Sequence, residues 1–180
     1  MTGRLAWLLL LIAASAALTT WFACITPFVA FAVIAATTLP HRSALCLTVA
    51  VWLANQAVGY GVLHYPWTVD SAAWGVAIGG ATAIGVLTAY WTAARLRSLR
   101  SPVRTLAAFV SAFALYELTL YAVAVSILGG TRAFAPGIVA QVFLVNTVTF
   151  VGLYGLNQLA ATVGVLNQRR RALASPARVV

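Results

Sequence analysis

The stretch WLANQAVGYGVLHYPWTVDSAAW, residues 52–74, decides the reading of the chain. It starts inside one apolar helix and ends inside another, and between them hydrophobicity gives way to a cluster of chemically capable side chains. Asn55, Gln56, Gly59 and Tyr60 stand three, four, seven and eight positions after Trp52, so the five share one helical face. Past Gly61 come His64, Tyr65, Pro66, Trp67 and Asp70, the last being one of only two acidic residues in the chain. Asn55 and Gln56 are amides set in a run otherwise fit for lipid. The stretch therefore reads as a helical hairpin with a binding mouth at its turn.

Working outward, the composition puts that hairpin in a membrane. Of 180 residues, 63% are hydrophobic and 7% charged, against roughly a quarter charged in soluble domains. Eleven basic residues face two acidic ones, a balance that in a soluble chain would suggest nucleic acid. Here all the basic residues are arginines and most flank apolar segments, which is topological information, and no nucleic-acid partner is expected.

The N-terminal tract from Leu5 to Leu39 is far too long for one crossing of a bilayer core of about 30 Å at about 1.5 Å per residue. Thr19, Thr20, Trp21 and the Thr26-Pro27 pair are its breaking point, because the residue before proline is pushed away from helix and Trp favours the interface. Two short spans over residues 5–21 and 24–39 follow, with a single kinked helix or a cleaved secretory signal as the alternatives. Further spans are expected over 43–63, 71–94, 105–128 and 136–166. Gly75, Gly79 and Gly80 give the fourth a surface of small residues for close helix contact. The fold class expected is thus an all-α integral membrane protein, one compact bundle of about six transmembrane helices forming a single domain over residues 1–180. Arg4, Arg42, Arg95, Arg97, Arg100, Arg104 and the arginines at 169–171 then fall on one side and Arg132 alone on the other. By the positive-inside rule both termini of this multi-pass chain are cytoplasmic. A five-span arrangement would move Arg4 alone.

Several side chains in these spans demand an account. Glu117 lies in mid-span, where insertion of an acidic residue costs about 2.5 to 3.5 kcal/mol, and Tyr121 four residues on shares its face and offers a phenol to it. Either the acid ties two helices together as a neutral carboxyl, or it serves a ligand or a proton. Asn146 in the last span divides the same way between helix glue and ligand contact, whereas Gln141 and Asn157 read as glue. The aromatic residues of the mouth divide between an interfacial belt and the apolar wall of a small-molecule pocket. On the second reading the ligand-binding set is Trp52, Asn55, Gln56, Tyr60, His64, Tyr65, Trp67, Asp70, Glu117, Tyr121 and Asn146. Cys24 and Cys46 have no metal-ligand spacing and read as small buried apolar residues. No Ser-His-Asp set, paired carboxylates, phosphate-cradling glycine loop or zinc motif is present in the sequence, so enzyme activity is not expected.

In size, span number and sidedness the chain resembles the substrate-binding S components of energy-coupling-factor vitamin transporters. The Pro-His-Arg-Ser-Ala turn at residues 40–44 looks like their short basic turn, and Ala13 and Ala17 look like the AxxxA patch by which they dock a coupling subunit. The resemblance implies a pocket open to the outside that holds a small vitamin. It also implies a place in a bacterial inner membrane, with an energising transmembrane subunit with ATPases as partner, or solitary action. The solitary cobalamin-type members are similar in feel, which would make Cys24 or His64 a ligand to the cobalt of a bound corrinoid. Two other classes stay open: a small accessory or assembly subunit whose polar residues staple helices, and a proton-coupled carrier using Glu117.

Overall fold

Proline positions set the helix boundaries. The computed structural model describes residues 26–162, and among these the chain is helical without strands. Pro27, which fixes φ and lacks an N–H, precedes α1 (Phe28–Thr38), and Leu39, extended before Pro40, ends it. Pro40 caps α2 (His41–Gly61). Thr68 caps α3 (Val69–Arg95), its Oγ1 accepting from the Ser71 N–H at 3.2 Å, with Asp70 in the first turn where the helix dipole favours an anion. Pro102 sits in the first turn of α4 (Ser101–Val123), which runs on through a π turn, Ala124–Leu128, to the left-handed pair Gly129 and Gly130. A 3-10 turn, Thr131–Phe134, leads into α5 (Pro136–Thr162).

Four helices among the described residues are long and apolar enough to cross a bilayer: His41–Gly61, Val69–Arg95, Ser101–Leu128 and Pro136–Ala160. They match the spans expected at 43–63, 71–94, 105–128 and 136–166. The span expected at 24–39 is different in kind. Its helix has 11 residues, about 16 Å at 1.5 Å per residue, half of what a crossing needs. Every residue from Phe28 to Ala36 is buried, and α1 packs against all four long helices. A helix apolar on every side belongs inside protein or inside lipid; this one is the core of the bundle. The expected span at 5–21, the arginines at 169–171 and both termini lie outside the described residues.

The start of α1 lies inside the bundle, where its orphan N–H groups need partners from neighbouring helices; its far end is partly covered, with Thr37 and Thr38 half-buried and Pro40 and His41 exposed. At the start of α1, Asn146 of α5 is 1% exposed and accepts the Ala30 N–H on Oδ1 at 3.2 Å, while its Nδ2 donates to the Val142 carbonyl at 3.0 Å. Beside it Asn55 of α2 donates to Thr26 Oγ1 at 2.6 Å. At the far end the Tyr90 hydroxyl of α3 donates to the Leu39 carbonyl at 2.7 Å, and the Thr37 and Thr38 hydroxyls bond back to Val33 and Ile34. Around α1, Phe109 stacks on Phe150 at 4.5 Å and Phe113 meets Phe143 edge-on at 4.9 Å, joining α4 to α5. Gly85 of α3 comes close to the Ala112 carbonyl of α4, and Thr92 shares a 2.9 Å hydroxyl bond with Ser111, joining α3 to α4.

Removing the acceptor at the start of α1 leaves a buried donor unmatched. Asn146→Ala is therefore expected to lower stability by about 1–3 kcal/mol, and Tyr90→Phe by about 0.5–1.5 kcal/mol, both read as unfolding midpoints of the detergent-solubilised protein.

Candidate functional site

The helical hairpin at residues 52–74 bounds a groove that opens on the flank between α2 and α3. Gly59 carries no side chain and Tyr65 lies flat on it: a Cβ there would come within 2.5 Å of the Tyr65 ring. The backbone makes this possible because His64 takes a left-handed φ of 55°, turning the chain so that the Tyr65 N–H reaches the Gly59 carbonyl at 3.0 Å. The folded-back link stacks on the end of α2, with Tyr60 4.6 Å from the Trp67 ring and 6.0 Å from that of Tyr65. Tyr60 also shares a 3.1 Å hydroxyl bond with Ser71, tying the last turn of α2 to the first of α3.

Lower down, glycines on α3 admit large side chains from α2. Gly79 leaves room for Trp52, whose Nε1 would lie 2.8 Å from a Cβ at that position and which donates to the Gly75 carbonyl at 2.8 Å. Gly75 in turn faces the Gln56 amide. The glycine surface read from the sequence is thus a helix contact, made by Gly75 and Gly79; Gly80 meets open space.

These contacts leave a groove of about 480 Å³ walled by Trp52, Gln56, Tyr60 and Trp67 from the expected set, with Leu53, Thr68, Val69, Ala72, Gly75 and Val76. On the other side of Trp52 and Val76, which line both, lies a separate apolar hollow of about 280 Å³ bounded by Leu45, Thr48, Val49, Gly79, Gly80 and Ala83. The polar groups on the wall of the groove are few: the Gln56 amide and the Tyr60 and Thr68 hydroxyls.

The other expected site residues are not on this wall. Asn55 and Asn146 bond the start of α1, as described above, and α1 packs against both of their helices. Gln56 donates to the Asn55 Oδ1 at 3.2 Å and is the one of the two adjacent amides that reaches the groove. His64 is exposed and serves the turn by its backbone; Asp70 is exposed in the first turn of α3. Tyr65 covers Gly59 beneath the stacked link. Glu117 is half-buried on α4 and makes no hydrogen bond, so the expected bond from Tyr121 is not formed. The Tyr121 ring instead packs edge-on against Phe134 at 5.4 Å. One turn to the other side Phe113 meets Phe143, which puts Glu117 on the side of α4 turned toward α5 and away from the groove.

Cys46 is an exposed thiol on α2 and not the buried residue expected; Cys24 lies outside the described residues. No group of three or more His, Cys, Asp or Glu side chains is brought together among the described residues. Sequence reasoning missed Tyr90, although the Leu39 carbonyl before Pro40 signals a need for a donor, and it missed Thr68, a capping hydroxyl three residues before Ser71.

Comparison with known proteins finds no matching family model, no matching curated protein and no matching solved structure.

Two substitutions test this geometry. Gly79→Ala is expected to push Trp52 off the Gly75 carbonyl, lowering stability by about 1–3 kcal/mol and shifting the Trp fluorescence. His64→Gly relieves the left-handed backbone and is expected to leave stability unchanged or raise it by up to about 1 kcal/mol, whereas a side chain needed for metal or ligand would make the same change harmful; unfolding midpoints decide.

Proposed function

We propose that this membrane protein is a substrate-binding component that captures a small, ring-containing molecule of vitamin size for uptake. The site is the groove between α2 and α3 at the end of the bundle that carries the 62–68 link. What carries the reading is the convergence of Trp52, Gln56, Tyr60 and Trp67, read from the sequence as one mouth, on a hollow whose volume falls in the range of about 300–1,000 Å³ usual for small-molecule sites. Aromatic faces from Trp52, Tyr60 and Trp67 suit a planar ring, and the Gln56 amide supplies both a donor and an acceptor to fix its orientation. The cobalamin form of this reading needs a cobalt ligand, and His64 stands off the wall of the groove. A compact one- or two-ring molecule is the form carried forward. Uptake then calls for an energising partner with ATPases or for solitary action, in a bacterial inner membrane with the groove facing outward.

A second reading, a small accessory or assembly subunit, is favoured by one observation: the buried amides Asn55 and Asn146 are spent on holding α1 and leave no polar interior for a solute.

Small-molecule mass spectrometry of the detergent-purified protein separates the two. The binding component is expected to retain one small ring compound. Trp67→Ala should cut retention about tenfold or more, a loss of about 1.4 kcal/mol, without moving the unfolding midpoint, since Trp67 is 85% exposed; Gln56→Ala should cut it as far, with some loss of stability because the Gln56 amide also bonds Asn55. Retention of nothing by the wild type, with the same substitutions altering only co-purification of other subunits, would support the assembly reading instead.

A further inference from the structure

Five arginines gather at the end of the bundle opposite the groove. The His41 ring lies 4.8 Å from the Tyr90 ring, which sets the start of α2, with Arg42, beside the end of α3, with Arg95. The short link between α3 and α4 adds Arg97 and Arg100, and the first turn of α4 adds Arg104. All but the half-buried Arg104 are exposed. No side-chain carboxylate answers them: the chain has two acidic residues, Asp70 at the start of α3 and Glu117 sixteen positions into α4 from Ser101, about 24 Å along the helix. Arg132 lies at the other end, where Gly130 approaches the Trp74 ring near the start of α3.

The flank leading to this end has a graded chemistry. Leu87, Trp91 and Arg95 succeed one another at four-residue intervals on α3, so they form one stripe. Leu87 and Trp91 are 48% and 62% exposed, and the Arg95 guanidinium lies over the Trp91 ring, 5.1 Å from its centre. Apolar chain, aromatic ring and cation in that order follow the acyl region, interface and headgroup of a phospholipid. A guanidinium already held over a ring presents its fork of N–H donors with little further ordering and suits a phosphate diester.

We propose that this end of the bundle binds the headgroup of an acidic phospholipid from the adjoining leaflet, with Arg95 on Trp91 as the flank contact and Arg97 and Arg100 completing the clamp. The occupant is a membrane lipid and not a soluble anion, because the stripe beneath Arg95 is apolar. The proposal is independent of the nature of the molecule held in the groove.

Native mass spectrometry of the full chain, released from detergent with phosphatidylglycerol or phosphatidylcholine added, tests it. Wild type is expected to carry phosphatidylglycerol adducts at least tenfold over phosphatidylcholine. The combined Arg95→Gln, Arg97→Gln and Arg100→Gln variant should lose them about tenfold or more, and Arg132→Gln should keep them. Should the triple variant fail to insert, Arg95→Lys and Trp91→Leu, which keep the charge or leave it untouched, are each expected to lower phosphatidylglycerol occupancy about threefold. Equal occupancy by the two lipids, undiminished adducts in these variants, or displacement of the lipid by millimolar inorganic phosphate would overturn the proposal, the last marking a free-anion site.

Discussion

The constraint on which the bundle depends is the need to satisfy a helix that begins inside it. Phe28–Thr38 is about half the length of a crossing, so its buried start lies away from water, and an unpaired backbone group in a dry interior costs several kcal/mol. Asn146 from α5 meets that need at the Ala30 N–H, with Asn55 from α2 on the Thr26 hydroxyl beside it, and Tyr90 from α3 holds the Leu39 carbonyl at the other end. Once those bonds are made, the apolar surface of α1 supplies the packing core against which the long helices close. The arrangement explains why a chain so poor in polar residues keeps buried amides within its apolar helices.

With the interior filled, what the bundle offers to a ligand is set by its weakest seam. α3 and α4 meet where Gly85 comes close to the Ala112 carbonyl, while α2 meets α3 through the bulky Trp52 and Gln56 seated on Gly75 and Gly79. Large side chains on one helix against glycines on the other leave space above and below the contact, and the folded-back link with Tyr65 and Trp67 roofs one end of that space. The groove thus follows from the same residues that pin the hairpin together, and a ligand there would touch two helices and their link at once. Charge is divided along the same axis, with Asp70 and Arg132 near the groove and the arginine cluster far from it.

Much of this was legible in the sequence. The long helices follow from length and from punctuation at Pro40, Gly61 to Pro66, Ser101-Pro102 and Gly129-Gly130, where backbone freedom or a missing N–H interrupts the helix regardless of packing. The grouping of Trp52, Gln56, Tyr60 and Trp67 was legible too, since helical offsets place the first three on one face and Pro66 turns the fourth back onto it. The burial of α1 was not, because Phe28–Ala36 is apolar on all sides and such a run looks the same facing lipid or facing protein. The roles of Asn55 and Asn146 were hidden for a related reason: an amide in an apolar span announces that it has a partner, but a solute and a neighbouring segment leave the same mark. Glu117 and Tyr121 share a helical stripe, yet Phe134, from the connection to α5, takes the Tyr121 ring, a contact between segments that spacing along one helix does not contain.

Amide hydrogen exchange along the 28–38 segment in detergent tests most directly whether a pinned internal helix, and not a solute cavity, occupies the middle of the bundle. The account predicts that this segment exchanges as slowly as the long helices around it, with or without a bound small molecule. Rapid exchange across Phe28–Thr38 that slows only when a small molecule binds would contradict it, since the interior would then open and the ligand would lodge there.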